Sequence, residues 1–175
     1  MILKLARTPA IYLVGFMGSG KSTVGWLLAD KLGWNFVDLD AEIEAEQGMS
    51  IPEIFEQHGE EYFRKLETQA IRKQVRLVHS GRPLVVALGG GAFAQPCNFD
   101  LLEHNGVTVW LDCPLEMAWR RVHSAANRPL ARDRRKFEEL FRARQDSYAR
   151  ADYRIEVTAE DPQAVAEAVL ALPIF

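Results

Sequence analysis

Cysteine is nearly absent from this chain: Cys97 and Cys113 stand alone in 175 residues, with no C-x-x-C spacing and no histidine cluster beside them. That excludes a disulfide scaffold and a structural zinc site, and it suits a reducing, cytoplasmic setting. Long apolar runs are also missing. The opening Met1-Ile2-Leu3-Lys4-Leu5-Ala6 is too short for a signal sequence or a membrane span, so no membrane partner is expected. Nor is there a basic excess. Lysine plus arginine number 21 against 24 acidic residues, a formal charge of -3, which gives nucleic acid no broad surface to hold. No guanine-reading N/T-K-x-D stretch, internal repeat or low-complexity linker occurs. The hydrophobic fraction of 48% is ample for the core of one domain over 1–175. A monomer with no obligate protein partner is expected.

The most informative stretch is Gly15-Phe16-Met17-Gly18-Ser19-Gly20-Lys21-Ser22, a complete G-x-x-x-x-G-K-[ST] pattern directly after the apolar run Ile11-Tyr12-Leu13-Val14. A buried strand that ends in a tight glycine turn before a helix is the context this motif requires. The glycines let amides wrap nucleotide phosphates without Cβ obstruction, and the helix start adds its positive end to the same anion. Lys21 is placed to reach the β- and γ-phosphates, and the Ser22 hydroxyl to hold Mg²⁺.

Further along, Val24, Leu27 and Leu28 mark a helix that stops at Gly33, and Asn35-Phe36-Val37-Asp38 reads as a second strand. Asp38 and Asp40 then lie at the carboxyl edge, where open α/β sheets form their ligand crevice; a helix cap is the plainer role for either. Residues 41–80 read as helices broken at Gly48 and near Gly59, with Ser50 capping Ile51–Gln57. Pro83 to Leu88 suits a strand buried on both faces, and Gly89-Gly90-Gly91 follows it, as a site of close backbone approach or merely a sharp turn. A strand over Val107–Leu111, a helix to about Arg121, a basic cover over 123–135, a helix from Arg134 to about Arg150, a strand over Tyr153–Val157 and a helix over Ala164–Leu170 complete the chain. Trp26, Trp34, Trp110 and Trp119 are expected to serve packing. Five strands separated by helices predict a parallel sheet with helices on both faces.

The charged residues suggest the chemistry. Arg64 and Arg144 can each form a bidentate pair with a carboxylate, Asp40 can accept hydrogen bonds from hydroxyls, Asp38 can orient a water on Mg²⁺ or help activate an acceptor, and Arg128 can stabilise charge on a transferring phosphoryl group. Arg64, three positions before Glu67, equally suits a surface ion pair.

Met17-Gly18-Ser19-Gly20-Lys21-Ser22-Thr23-Val24-Gly25, Phe36-Val37-Asp38-Leu39-Asp40, Gly59 to Glu67, Gly89-Gly90-Gly91 and Asn127-Arg128-Pro129-Leu130 occur in an order and spacing that resemble the shikimate kinase family, from about Ala10 to Leu170. The resemblance implies a three-layer α/β/α nucleoside-monophosphate-kinase-like P-loop fold with sheet order 2-3-1-4-5, a substrate-binding helical insert over about 40–77 and a lid over about 123–135. It implies transfer of the γ-phosphoryl of ATP to the shikimate 3-hydroxyl, with Mg²⁺. ATP would be held by Gly18, Ser19, Gly20, Lys21, Ser22, Thr23, Arg121, Arg128 and Pro162. Shikimate would be held by Asp40, Arg64, Gly90 and Arg144, with Phe63, Ile51 and Phe55 as an apolar wall. Lys21, Asp38 and Arg128 would be catalytic, and Ser22 with Asp38 through water would attend the metal. The chain departs from the family where Gln145-Asp146-Ser147 replaces a proline-bearing stretch after Arg144, which lets the helix continue, and where Ala131 precedes a dense charged run. A related kinase acting on gluconate, and a non-catalytic sensor of ATP and shikimate, are the alternatives.

Overall fold

The computed structural model describes residues 10–124 and 133–175. Strands β1 (Ala10–Val14), β2 (Asn35–Asp38), β3 (Leu84–Ala87), β4 (Val107–Asp112) and β5 (Tyr153–Glu156) form one sheet in the order β2-β3-β1-β4-β5, with every pairing parallel. The sequence dictates the order of burial: β1 and β3 are apolar throughout and wholly buried, whereas the edge strand β5 alternates between half-buried and exposed residues. Parallel neighbours need long returns, and helices supply them.

Those helices are α1 (Lys21–Leu32), α2 (Leu39–Gln47), α3 (Ile51–His58), α4 (Glu60–His79), α5 (Pro96–Glu103), α6 (Leu115–His123), α7 (Arg134–Tyr148) and α8 (Pro162–Leu170). They give the α/β/α layering, with α1 packed on α8 and on β1 to β3, and α5 packed on α4 and β4. Among the described residues no helix is long and apolar enough to cross a membrane.

Local chemistry sets the boundaries. In α3 the Ser50 hydroxyl accepts from the Glu53 N–H (3.3 Å) and the Glu53 carboxylate accepts from the Ser50 N–H (3.1 Å), a complete capping box. Helix α2 begins one residue after β2 ends, so Asp40 lies in its first turn instead of on the strand edge, and Asp38 is its cap.

Three features differ from expectation. Helix α5 and the 3-10 turn Ala92–Ala94 occupy the stretch after the triple glycine, where the sequence carries only a short, weakly periodic signal. Buried Asn98 ties them together: its Nδ2 donates to the Ala92 carbonyl (3.0 Å), and its Oδ1 accepts from Thr68 on α4 (2.7 Å). Helix α8 starts two residues earlier than its apolar pattern, because Asp161 caps it and Pro162 fits the first turn. Trp26 is not a packing residue. It is 58% exposed on the outward side of α1, while Val24, Gly25, Leu28 and Ala29 take the buried side.

Candidate active site

Adjacent strands β1 and β3 deliver the phosphate loop and the triple glycine side by side, joined where the Leu88 N–H donates to the Leu13 carbonyl (3.1 Å). This is the carboxyl edge at which an α/β sheet holds its ligand. In the phosphate loop, Gly18 (φ 81) and Gly20 (φ 93) adopt left-handed backbone that a side chain would strain. A Cβ on Gly18 would also lie 2.8 Å from the Ala118 carbonyl and 2.9 Å from Val122 of α6. Ser19 is buried, whereas Ser22 and Thr23 are exposed at the start of α1. The Lys21 ammonium donates to the carbonyls of Gly15 (2.7 Å) and Phe16 (2.9 Å), so it lies folded over the loop it is expected to share with phosphate.

The Ser22 hydroxyl donates to Asp38 Oδ2, while the other oxygen of Asp38 accepts from the Ala41 N–H (3.2 Å). Asp38 is therefore a helix cap and a partner of the phosphate loop at once. Ser22 and Asp38 present two hard oxygens in contact, a set suited to Mg²⁺, which takes one or two protein oxygens and completes its shell with water and phosphate. Among the described residues no group of three or more His, Cys, Asp or Glu forms that could hold a metal.

Arg121 Nη1 donates to the Gly18 carbonyl (3.0 Å), which sets its guanidinium against the phosphate loop. Its neighbour Arg120 reaches Glu160 (3.3 Å) and so ties α6 to the turn before Pro162. Buried Cys113 faces the same loop with its thiol 3.9 Å from the Gly18 carbonyl, and burial holds the thiol in its protonated form.

The acceptor half is built around the triple glycine. A Cβ on Gly91 would lie 2.6 and 2.8 Å from the two terminal nitrogens of Arg64 and 3.0 Å from Arg144 Nη1. Two arginines from different helices thus converge on one backbone position. A Cβ on Gly89 would lie 2.7 Å from Asp40 Oδ1 and 3.1 Å from Glu67 Oε2. Gly90, by contrast, has only ordinary contact distances around it. Phe63 is buried against Phe55 (centroids 4.9 Å apart), and the Arg64 guanidinium lies 5.4 Å from the Phe63 ring centre. Helix α7 runs unbroken from Arg134 to Tyr148, and in that continuous helix Arg144 reaches the glycine turn. Arg128 and the lid motif Asn127 to Leu130 lie outside the described residues.

Two groups were not legible as parts of this site. Glu67 has 0% exposure, and its carboxylate accepts from Arg64 Nη1 at 2.9 Å, so Arg64 is not in a plain surface pair. Burial pushes the Glu67 carboxyl up to about 7, against the opposing pull of Arg64. Its spacing from Arg64 predicts a pair, and the signal for burial is its place on the apolar stripe of α4, between Phe63 and Ala70. Tyr148 closes α7 with its hydroxyl donating to the Gly90 carbonyl at 2.6 Å.

The family model described as shikimate kinase matches residues 17–172. The chain belongs to the shikimate kinase family. A shikimate kinase of Persephonella marina is 47% identical over 161 residues, covering 91% of this chain and 96% of that protein. One from Gloeobacter violaceus is 48% identical over 165 residues, covering 92% and 90%. Among solved structures, the shikimate kinase from Acinetobacter baumannii in complex with shikimate superimposes with a TM-score of 0.86 at 39% identity, covering 95% of this chain and 94% of that one. The sheet order β2-β3-β1-β4-β5 is the one the family resemblance implied.

Proposed function

We propose that the chain transfers the γ-phosphoryl group of ATP to the 3-hydroxyl of shikimate, giving shikimate 3-phosphate and ADP for aromatic amino-acid biosynthesis. The observation that carries this reading is the convergence of Arg64 and Arg144 on Gly91, one strand away from a complete phosphate loop. A pair of guanidiniums around a bare backbone turn matches a carboxylate on the acceptor, because each offers a planar fork of donors. Asp40, which borders the adjoining Gly89, would accept from the hydroxyls of the same molecule.

In this reading the acceptor is held by its carboxylate on one side and by its hydroxyls on the other, with the Phe63 and Phe55 edge against its ring. That fixes which hydroxyl faces the nucleotide, and orientation removes much of the entropic barrier. The phosphate loop amides and Lys21 take the charge on the β- and γ-oxygens, while Arg121 and Pro162 flank the base. Ser22 and Asp38 would hold Mg²⁺, which would supply neutralisation of the phosphate charge. Asp38 takes the proton of the reacting hydroxyl as that oxygen bonds to phosphorus and the bond to the bridging β,γ-oxygen breaks, leaving ADP. Arg128 is assigned by family resemblance to the transferring group, and closure of the 123–135 segment would keep water from competing as acceptor.

A coupled ADP-release assay with purified protein tests the reading. Turnover with ATP, Mg²⁺ and shikimate should far exceed turnover with gluconate, whose flexible chain cannot meet both ends of the clamp without an ordering cost. Equal or greater use of gluconate would replace the acceptor assignment. Tight binding of ATP and shikimate without ADP release would instead mark a sensor.

A further inference from the structure

The packing role of Tyr148 leaves its hydroxyl unexplained. The ring is 1% exposed and lies 6.0 Å from Trp110, centre to centre, a volume that phenylalanine would fill equally well. A buried hydroxyl costs stability unless it is satisfied, and here it donates to the Gly90 carbonyl at 2.6 Å. Arg144 Nη1 borders the same glycine: a Cβ on Gly90 would lie 3.6 Å from it and 3.7 Å from the Tyr148 hydroxyl. Arginine only donates and the hydroxyl spends its proton on Gly90, so a lone pair is what Tyr148 has to offer Arg144. Arg144 precedes Tyr148 by four residues in an unbroken helix, which places the two on one face of α7. The Gly90 peptide lies in a run of three glycines, where little else in the local sequence limits backbone rotation.

We propose that Tyr148 is the positioning residue of the acceptor clamp, its one hydroxyl fixing both the Gly90 peptide and the Arg144 guanidinium in the orientation that receives the acceptor carboxylate. This rests on the shikimate reading above. The hydroxyl stays protonated across the working pH range, since burial pushes it up to about 12 against the opposing pull of Arg144, and the donor to Gly90 is therefore permanent. The clamp is preset before the acceptor arrives, which lowers the ordering cost of binding.

The test is Tyr148→Phe, which removes one oxygen and keeps the ring. Shikimate turnover by the unaltered protein is the first arm, and its absence would overturn the kinase reading itself. With turnover established, Y148F should raise the KM for shikimate about tenfold, the effect of losing one well-placed buried hydrogen bond, while the KM for ATP stays within about twofold. The preference for shikimate over an analogue with a neutral hydroxymethyl group in place of the carboxylate should fall by a similar factor. That preference is a ratio within one protein, so it remains readable even if Y148F is less stable. Combining Y148F with Arg144→Lys should cost less than the two losses added together. An unchanged preference, equal losses for both acceptors and ATP, or full additivity with R144K would overturn the proposal and leave Tyr148 as a core residue.

Discussion

The Glu67 carboxylate, with no exposed side-chain surface, accepts from Arg64 Nη1 at 2.9 Å, while its second oxygen has no hydrogen-bond partner among the described residues. A pair three residues apart on a helix is ordinarily a solvated contact of little consequence. This one sits under the triple glycine, where Asp40 and Arg144 also act on Glu67. Burying one member makes the pair a fixed support for the guanidinium instead of a surface ornament, and it gives the site a titrating group near neutrality.

That group makes stability depend on pH. Glu67 ionises near 4.5 in the unfolded chain and near 7 in the folded one, because burial and Asp40 raise it more than Arg64 and Arg144 lower it. The folded chain therefore keeps a proton that the unfolded chain releases. Stability from this source is complete below about 4.5 and is lost as pH rises to about 7. Glu67→Gln removes the titration. The stability of E67Q relative to the unaltered protein should rise across that window by on the order of 1–3 kcal/mol and then level off. Thermal melts of both proteins from pH 5 to 8.5 would check it; a constant difference would mean Glu67 ionises alike in both states.

Gly91→Ala should separate activity from stability. Gly91 has φ -99 and ψ -6, which any residue adopts, so the substitution carries no backbone strain. The added Cβ would instead meet Arg64 at 2.6 Å and Arg144 at 3.0 Å. Those atoms are ends of flexible side chains that can shift, Arg64 within reach of Glu67, but a shifted clamp no longer matches a carboxylate. Melting should change little, the KM for shikimate should rise by at least about tenfold, and ATP binding should stay as it was. Steady-state kinetics with each substrate varied would decide.

How legible each element was follows from the range of the interactions that make it. The phosphate loop, the stop at Gly33, the capping box at Ser50 and the breaks at Gly48 and Gly59 depend on residues within a few positions of one another, and all stand where the sequence puts them. The five-strand order came through family resemblance, since pairing partners such as Ala10 and Leu84 are far apart in the chain. Glu67, Tyr148 and Asn98 acquire their significance only from burial against other elements, which residue type argues against for two of the three. Trp26 fails in the opposite direction. Its size predicts burial, yet its angle on α1 sets it outward.

Arg64→Lys tests the clamp from the other partner. Lysine keeps the charge but has one ammonium where the guanidinium reaches both Glu67 (2.9 Å) and Glu60 (3.4 Å) and still borders Gly91. Shikimate affinity should fall by about tenfold or more, with ATP affinity nearly unchanged. Isothermal titration of each ligand into both proteins measures this directly. A small loss of stability with unchanged acceptor use would return Arg64 to a structural role.

Asp38 offers the sharpest separation, because its two oxygens do different work. Oδ1 caps α2 through the Ala41 N–H at 3.2 Å, and Oδ2 meets the Ser22 hydroxyl of the phosphate loop. Asparagine is as good a cap as aspartate, so Asp38→Asn should melt close to the unaltered protein, whereas Asp38→Ala should lose about 1 kcal/mol. Both should lose turnover by about a hundredfold or more, since the amide of asparagine can neither attend a hydrated Mg²⁺ as a carboxylate does nor receive a proton from the acceptor hydroxyl. Chelation of divalent metal in the unaltered protein should abolish ADP release in parallel. If D38N is stable and fully active while D38A is only less stable, the carboxylate is a helix cap and nothing more. If D38N is inactive while chelation leaves ADP release by the unaltered protein unchanged, the role of Asp38 lies with the acceptor hydroxyl and not with the metal.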